Sequence, residues 1–397
     1  MRKRIIQRRN GGEKKDVDAQ KSEGINVPPS ITLAGESGGI ERLPGRLERY
    51  AQMHTRALMM SEYIRSLPRS KENLEIRKRL HNCGRYLHFR DYYTVNKLRL
   101  IRADFCKQHL ICPLCALRRG ARFVEKYMER VNLVGQEQGG VMSYLVTLTV
   151  KDGPDLEERF NHLHESYKAL REAMKNAKKG LRSPVEMNKA FGGVASYEFK
   201  RGSGSSMWHP HIHSVWLCKE APDPVRLARE WKEITGDSYI VDVTPFHDDP
   251  VSGFLEVFRY ALKFSDMEIP DNWTAAQTLK SRRLVAAFGC LYGVKVPEKL
   301  EDEPLEDMPY VDRLYRYHIR AKAYEFVPLQ GDKAIHARVA VDKKRFNHSL
   351  EDDNISEREE IAVGAIVMQK GGERTIDPLG LSKAHKRPQM KVHTLQN

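Results

Sequence analysis

The sequence predicts an α+β fold: a central antiparallel sheet flanked by helices, preceded by a helical, cysteine-containing N-terminal part. Two observations carry this expectation. Short segments of alternating, β-branched character are interspersed with stretches of helical periodicity. Two of these candidate strands are joined by the short loop Arg201-Gly-Ser-Gly-Ser-Ser206, which favours hairpin pairing over a parallel crossover.

The elements follow in chain order. Residues 1–45 are rich in Gly, Ser, Lys and Glu and contain Pro28 and Pro29, the composition of a disordered tail. Residues 46–135 form the expected helical segment. There Leu, Met, Tyr and Ile recur at helical spacing from 47 to about 100, which predicts short helices. Residues 142–150 alternate and are bounded by Gly139-Gly140 and Asp152-Gly153-Pro154, so they predict a strand. From 154 to about 178, Leu156, Phe160, Leu163, Tyr167, Leu170 and Met174 share one face of an amphipathic helix.

Residues 193–200 and 209–217 are the two hairpin strands. A helix over 224–234 has Asp223 as its N-cap and Pro224 at its first position. Residues 239–243 predict a strand, and 252 to about 264 a helix N-capped by Ser252. Residues 136–300 are thus the main α+β unit, 301–348 a mixed segment, and 349–397 a polar, basic tail.

The charge balance narrows the function. Lys+Arg number 67 against 53 Asp+Glu, a net +14 that points to a polyanionic partner, nucleic acid before an anionic membrane surface. The charged start leads into no apolar segment of a secretory signal. Apolar runs such as 284–294 fall short of the ~20 residues a membrane span needs. Six cysteines in 397 residues do not make a disulfide scaffold, and clustered cysteines in a reducing compartment bind metal. A cytoplasmic, nucleic-acid-binding protein without membrane attachment is expected.

Trp208-His209-Pro210-His211-Ile212-His213 is the sharpest local feature. On a strand, 209, 211 and 213 point to one face, where neighbouring imidazoles can share a metal. Pro210 sets His209 apart, nearer the loop, so His211 and His213 are the stronger pair. Glu198 on the preceding strand is the candidate third donor. Two His and a carboxylate with open positions suit Mg²⁺ or Mn²⁺ acting on a phosphate, and would suit Zn²⁺ as well.

Cys106, Cys112 and Cys115, with Cys83 upstream, are candidate ligands of a structural Zn²⁺, the last two at the Cys-x2-Cys spacing. His109 is a possible substitute ligand; buried free thiols are the competing reading, and the one adopted for Cys218 and Cys290. Glu256, Tyr260 and Lys263 share a helix face by their spacing of four and three. No Gly-x4-Gly-Lys-Ser/Thr phosphate loop occurs.

Together these residues resemble the single-tyrosine rolling-circle replication initiators of bacterial plasmids, members of the HUH endonuclease superfamily. Val146-Thr-Leu-Thr-Val150 looks like the family's first strand motif. Trp208-His-Pro-His-Ile-His213 looks like its metal motif, and Glu256-x3-Tyr260-x2-Lys263 like its nucleophile motif. The cysteine block leading into Arg118-Arg119 is similar to the segment before the catalytic core. The resemblance covers roughly 80–300 and implies an HUH nuclease core over 136–300.

The resemblance further implies Tyr260 as a nucleophile that forms a 5′-phosphotyrosyl link, Glu256 as the acid–base group of termination, and Lys263 as a charge favouring the phenolate. Plasmid origin DNA, a host helicase and a host DNA polymerase are the implied partners. Tyr197 points away from the face of Glu198, and Tyr292 lacks a carboxylate at this spacing. Two alternatives remain open at this point: a conjugative relaxase or transposase of the same superfamily, and a non-catalytic, zinc-containing DNA-binding regulator.

Overall fold

A computed structural model describes residues 38–202, 204–246, 250–259 and 266–328. Helix α1 (Leu43–Ser66) buries Tyr50, Met53, Ala57, Met60 and Ile64, a stripe of helical period. It begins at Leu43, inside the stretch expected to be a tail. Helix α2 (Lys71–Asn82) is N-capped by Ser70, whose Oγ accepts from the amide of Asn73 at 3.0 Å.

The helical expectation then fails. Strands β1 (Tyr86–Tyr92) and β2 (Lys97–Ala103) occupy the end of the stretch read as short helices. The period changes from 3.6 to 2 after Asn82. Leu87 and Phe89 turn inward and are fully buried, as are Leu98 and Leu100 on the partner strand. What selects the strands is pairing with a distant segment: β1 lies between β2 and β8 (Val311–His318), and β9 (Ala323–Val327) completes a four-stranded antiparallel sheet, order β2-β1-β8-β9. The mixed segment after 300 therefore packs with the N-terminal part.

The second sheet is the expected central one. Its strands are β3 (Met142–Thr149), β4 (Ala190–Arg201), β5 (Trp208–Cys218), β6 (Val241–Phe246) and β7 (Val285–Gly289), all antiparallel, in the order β6-β3-β5-β4-β7. β6 starts two residues later than the sequence suggested, because pairing with β3 begins at Val241, and Tyr239 and Ile240 stay exposed. Gly289 ends β7 at φ +59°, where an added Cβ would lie 2.0 Å from the carbonyl oxygen of Phe191; only glycine fits.

Helices cover both faces. On one, α4 (Leu156–Lys178) and α5 (Pro224–Thr235) bury the stripe from Leu156 to Met174 together with Leu227 and Trp231. Asp155 and Asp223 cap them, each accepting backbone amides. On the other lie α3 (Pro113–Gln138) and α6 (Pro250–Phe258). α6 starts at Pro250, so Ser252 lies within its first turn rather than capping it.

Helix α7 (Ile269–Thr278) leads into β7. One continuous core joins Leu87 and Phe89 of the first sheet to Val194, Val215 and Phe254 around the second. Packing therefore crosses both 135/136 and 300/301. Among the described residues no helix is long and apolar enough to cross a membrane.

Candidate metal centres and catalytic face

Strand register builds the first site. Glu198 on β4 pairs with His211 on β5, and His211 pairs with Thr149 on β3; one row along, Ser196, His213 and Thr147 are paired in the same way. Paired residues put their side chains on the same face, about 5 Å apart at Cβ. Glu198, His211 and His213 therefore converge. His211 Nε2 lies 3.2 Å and His213 Nε2 3.5 Å from the same oxygen, Glu198 Oε2.

Hydrogen bonds aim the rings. His211 Nδ1 faces the carbonyl oxygen of His209 at 3.4 Å, leaving Nε2 turned towards the carboxylate. His213 Nδ1 meets the Thr147 hydroxyl at 3.0 Å. With Nε2 unprotonated, a cation held between the rings and the carboxylate oxygen would satisfy all three donors. Glu198 is only 1% exposed, and a carboxylate so deprived of water needs positive charge nearby. Donors around an ion with bonds of about 2.1 Å stand roughly 3.0–3.4 Å apart, close to the observed 3.2 and 3.5 Å. The residues fit a divalent cation.

His209 is not part of this group. Its Nδ1 lies 2.6 Å from Asp152 Oδ1, while Asp152 Oδ2 accepts from Ser205 Oγ at 2.7 Å. Burial opposes ionisation of Asp152, but Ser205 and His209 outweigh it and hold the carboxyl below its usual range. Nothing in the sequence pointed to Asp152; a bridge between Gly153 and Trp208 folds its turn against His209.

The face above the histidines belongs to α6. Phe254, Val257 and Phe258 are buried against the sheet and against α3, where Phe258 stacks with Phe123 at 5.0 Å. Glu256 is half-exposed, with its Oε2 3.7 Å from Arg259 Nη1. Tyr260 and Lys263 lie outside the described residues. Of the other tyrosines, Tyr197 is buried on the opposite face, at 3.1 Å from His164, and Tyr292 is exposed.

The second site is the cysteine cluster. Cys83 ends α2, Cys106 follows β2, and Cys112 and Cys115 open α3. Sγ separations of 3.5 Å link Cys83 to Cys112, Cys83 to Cys115, and Cys106 to Cys115. Disulfides would need about 2.05 Å, whereas a tetrahedral Zn²⁺ with bonds of about 2.3 Å sets sulfurs about 3.8 Å apart. All four are buried.

The thiols of Cys106, Cys115 and Cys83 draw the Cys112 thiol well below its usual range, at the start of a helix where a thiolate is favoured. The same crowding, then burial, pushes Cys83 up, while burial, then Cys106 and Cys112, pushes Cys115 up. Deprotonation by a cation suits this donor set. His109 is not needed as a substitute and is not in the group; burial, then Arg119, lowers it to about 4. A buried histidine the motifs did not reveal, His54 on α1, donates Nδ1–H to the Cys83 carbonyl at 2.6 Å. Cys218 is buried and free, and Cys290 is free and half-buried.

Comparison with known proteins adds to this geometry. Residues 97–221 match the family described as "Replication protein". This segment is similar to the replication proteins. It runs from β2 through β5 and so includes Cys106, Cys112, Cys115, Glu198, His211 and His213, but it ends before Glu256. "Protein rep" of Streptococcus pneumoniae serotype 2 (strain D39 / NCTC 7466) is 30% identical over 178 residues, 43% of this chain and 52% of that protein. The chain thus spans about half the length of the curated replication protein it matches. No solved structure matches.

Proposed function

We propose that the chain initiates rolling-circle replication of a plasmid, nicking and rejoining the origin strand through a 5′-phosphotyrosyl intermediate. The observation that carries this reading is the buried Glu198–His211–His213 cluster on the face covered by the helix of Glu256. A divalent ion, Mg²⁺ or Mn²⁺, would polarise the scissile phosphate there.

Tyr260 is the nucleophile, a role that rests on its spacing from Glu256 and on the family resemblance. Its hydroxyl oxygen bonds to phosphorus as the P–O3′ bond breaks. The phenol proton is lost, and the departing oxygen takes up a proton to become the 3′-OH that primes synthesis. A phenol of pKa ~10 needs positive charge nearby, and Lys263 supplies it. Glu256 accepts a proton from water in the terminating step. Cys83, Cys106, Cys112 and Cys115 hold a structural Zn²⁺. Origin DNA is the substrate, with unwinding and synthesis left to a host helicase and polymerase.

A labelled single-stranded oligonucleotide carrying the origin tests this, run with and without protease. Wild type forms a covalent adduct with Mg²⁺ or Mn²⁺. Tyr260→Phe and His211→Ala form none while still binding DNA, since phosphate contacts dominate affinity. Glu256→Ala forms the adduct and releases it about 10²-fold more slowly. An adduct in Tyr260→Phe, or metal-independent cleavage, overturns the proposal.

A further inference from the structure

We infer that the outward face of the first sheet, β2-β1-β8-β9, docks duplex DNA by its phosphates and so holds the paired DNA that flanks the nick; this rests on the proposed nicking function. One face of that sheet is core, with Leu87, Phe89, Leu98 and Leu100 turned inward. Register sends Lys97, Arg99 and Arg102 of β2, Arg90 of β1 and Arg316 of β8 to the other side. Strict alternation would put Arg99 and Arg102 on opposite faces. A bulge intervenes: Leu100 pairs with Phe89 and Arg102 with His88, so Ile101 is the extra residue and Arg102 joins Arg99.

The strands return little negative charge to this face. Asp312 of β8 meets His88 at 2.7 Å and Arg90 at 3.5 Å, and Glu325 of β9, opposite Arg316, meets His318 at 3.1 Å. Among the described residues no ion pair engages Lys97 or Arg99, and the buried Nε of Arg99 makes no hydrogen bond there. Arg90 stands directly opposite Arg99, and like charges so paired destabilise a sheet. A polyanion laid over them removes that cost.

The form of the face selects the partner. Its apolar floor is Tyr86 and Leu314, both buried, with Val327 beside them. The guanidinium of Arg316 lies over the Tyr86 ring at 6.0 Å, and that of Arg90 over the Tyr310 ring at 4.1 Å. Ring faces covered in this way leave no platform for an unpaired base, whereas cations alone suffice for phosphates. The outer strands stand three spacings apart, about 14 Å. That is wider than a major groove of about 12 Å, so the sheet lies across the two backbones instead of entering between them. A duplex, with a charge about every 1.7 Å of its axis, presents several phosphates to a surface of this size.

The test uses the full chain with Lys97→Gln combined with Arg102→Gln, both exposed side chains whose loss leaves the core intact. Fluorescence anisotropy follows a labelled duplex and one of its strands alone across a salt series. Duplex affinity should fall about 10-fold, and the slope of log affinity against log salt should shrink by about 1.8, for two contacts at about 0.9 each. Arg99→Gln alone should shrink it by about 0.9. The single strand should lose less than about threefold. Lys179→Gln combined with Arg182→Gln, exposed at the far end of α4, removes the same charge elsewhere and should leave duplex binding within about twofold.

Unchanged duplex affinity and slope in the β2 variants overturns the assignment. So does an equal fall in the α4 variant, which would make the effect one of net charge, or a single-strand loss as large as the duplex loss. The adduct assay is run on the same wild-type protein. An adduct with unaltered duplex binding in the variants removes the docking face and leaves the nicking reading standing. No wild-type adduct removes the nicking reading, while the duplex comparison still decides the face.

Discussion

Asp302→Asn should destabilise the protein by about 2–4 kcal/mol at pH 7 and loosen the cysteine element with it. Asp302 is 6% exposed and tied to three elements at once. Its carboxylate accepts from Arg118 Nη2 at 2.6 Å, Arg122 Nη2 at 3.1 Å and the Leu100 amide at 2.7 Å, with Arg46 Nη2 at 3.5 Å. Burial favours the neutral acid, but Arg118 and Arg46 outweigh it and hold the pKa at about 2. Against an ordinary value of 3.8, that depression corresponds to about 2.4 kcal/mol at about 1.36 kcal/mol per unit. Asparagine keeps the shape but strands Arg118, 1% exposed, beside Arg46, and breaking a buried pair costs about 3–5 kcal/mol.

The folded pKa is depressed, so the contribution is full above the unfolded value near 4 and is lost as pH falls towards 2. Urea unfolding of wild type and variant, followed by tryptophan fluorescence at pH 7, 5 and 3.5, measures it. The gap should be constant from pH 7 to 5 and narrow at 3.5. Arg118 is one turn beyond Cys115, so zinc should also leave the variant faster in the presence of a chelator. A gap below about 1 kcal/mol, or one equally wide at all three pH values, would refute the assignment of the Asp302 carboxylate as the counter-charge.

Cys112→Ser combined with Cys115→Ser should lose bound zinc and lower the melting temperature. Structural zinc contributes on the order of 10 kcal/mol in small fingers, and one zinc per wild-type chain by elemental analysis is the accompanying expectation. Thr147→Val keeps the shape of the side chain but removes the hydroxyl 3.0 Å from His213 Nδ1. Metal affinity by calorimetry should fall about 10-fold, the usual effect of losing a partner that orients a ligand. An unchanged affinity would show that the ring is held by packing alone.

What the sequence disclosed depended on how far apart the interacting residues lie. β3, α4, the β4–β5 hairpin and α5 were legible because their signals are local: period-two alternation, a stripe of period 3.6, and Asp155 and Asp223 next to the helices they cap. The Glu198–His211–His213 cluster was legible for the same reason. Alternation puts the two histidines on one face, and a short loop puts Glu198 opposite.

Where partners are remote, local pattern misled. Residues 86–103 were read as a continuation of helices, yet His88 of β1 meets Asp312 at 2.7 Å, 224 positions away. Pairing at that distance outweighs local propensity and leaves only a brief alternation as its trace. Asp302 carries no motif, since Glu301-Asp302-Glu303 reads as a solvated acidic run until folding closes Arg46 and Arg118 around it.

Asp152 lies between these cases. A turn acid has no visible purpose until the Gly153–Trp208 bridge sets it against His209. By occupying Nδ1, it also accounts for the division within the three-histidine strand: His209 is committed to a carboxylate outside the cluster, while His211 and His213 turn their Nε2 atoms to the buried one.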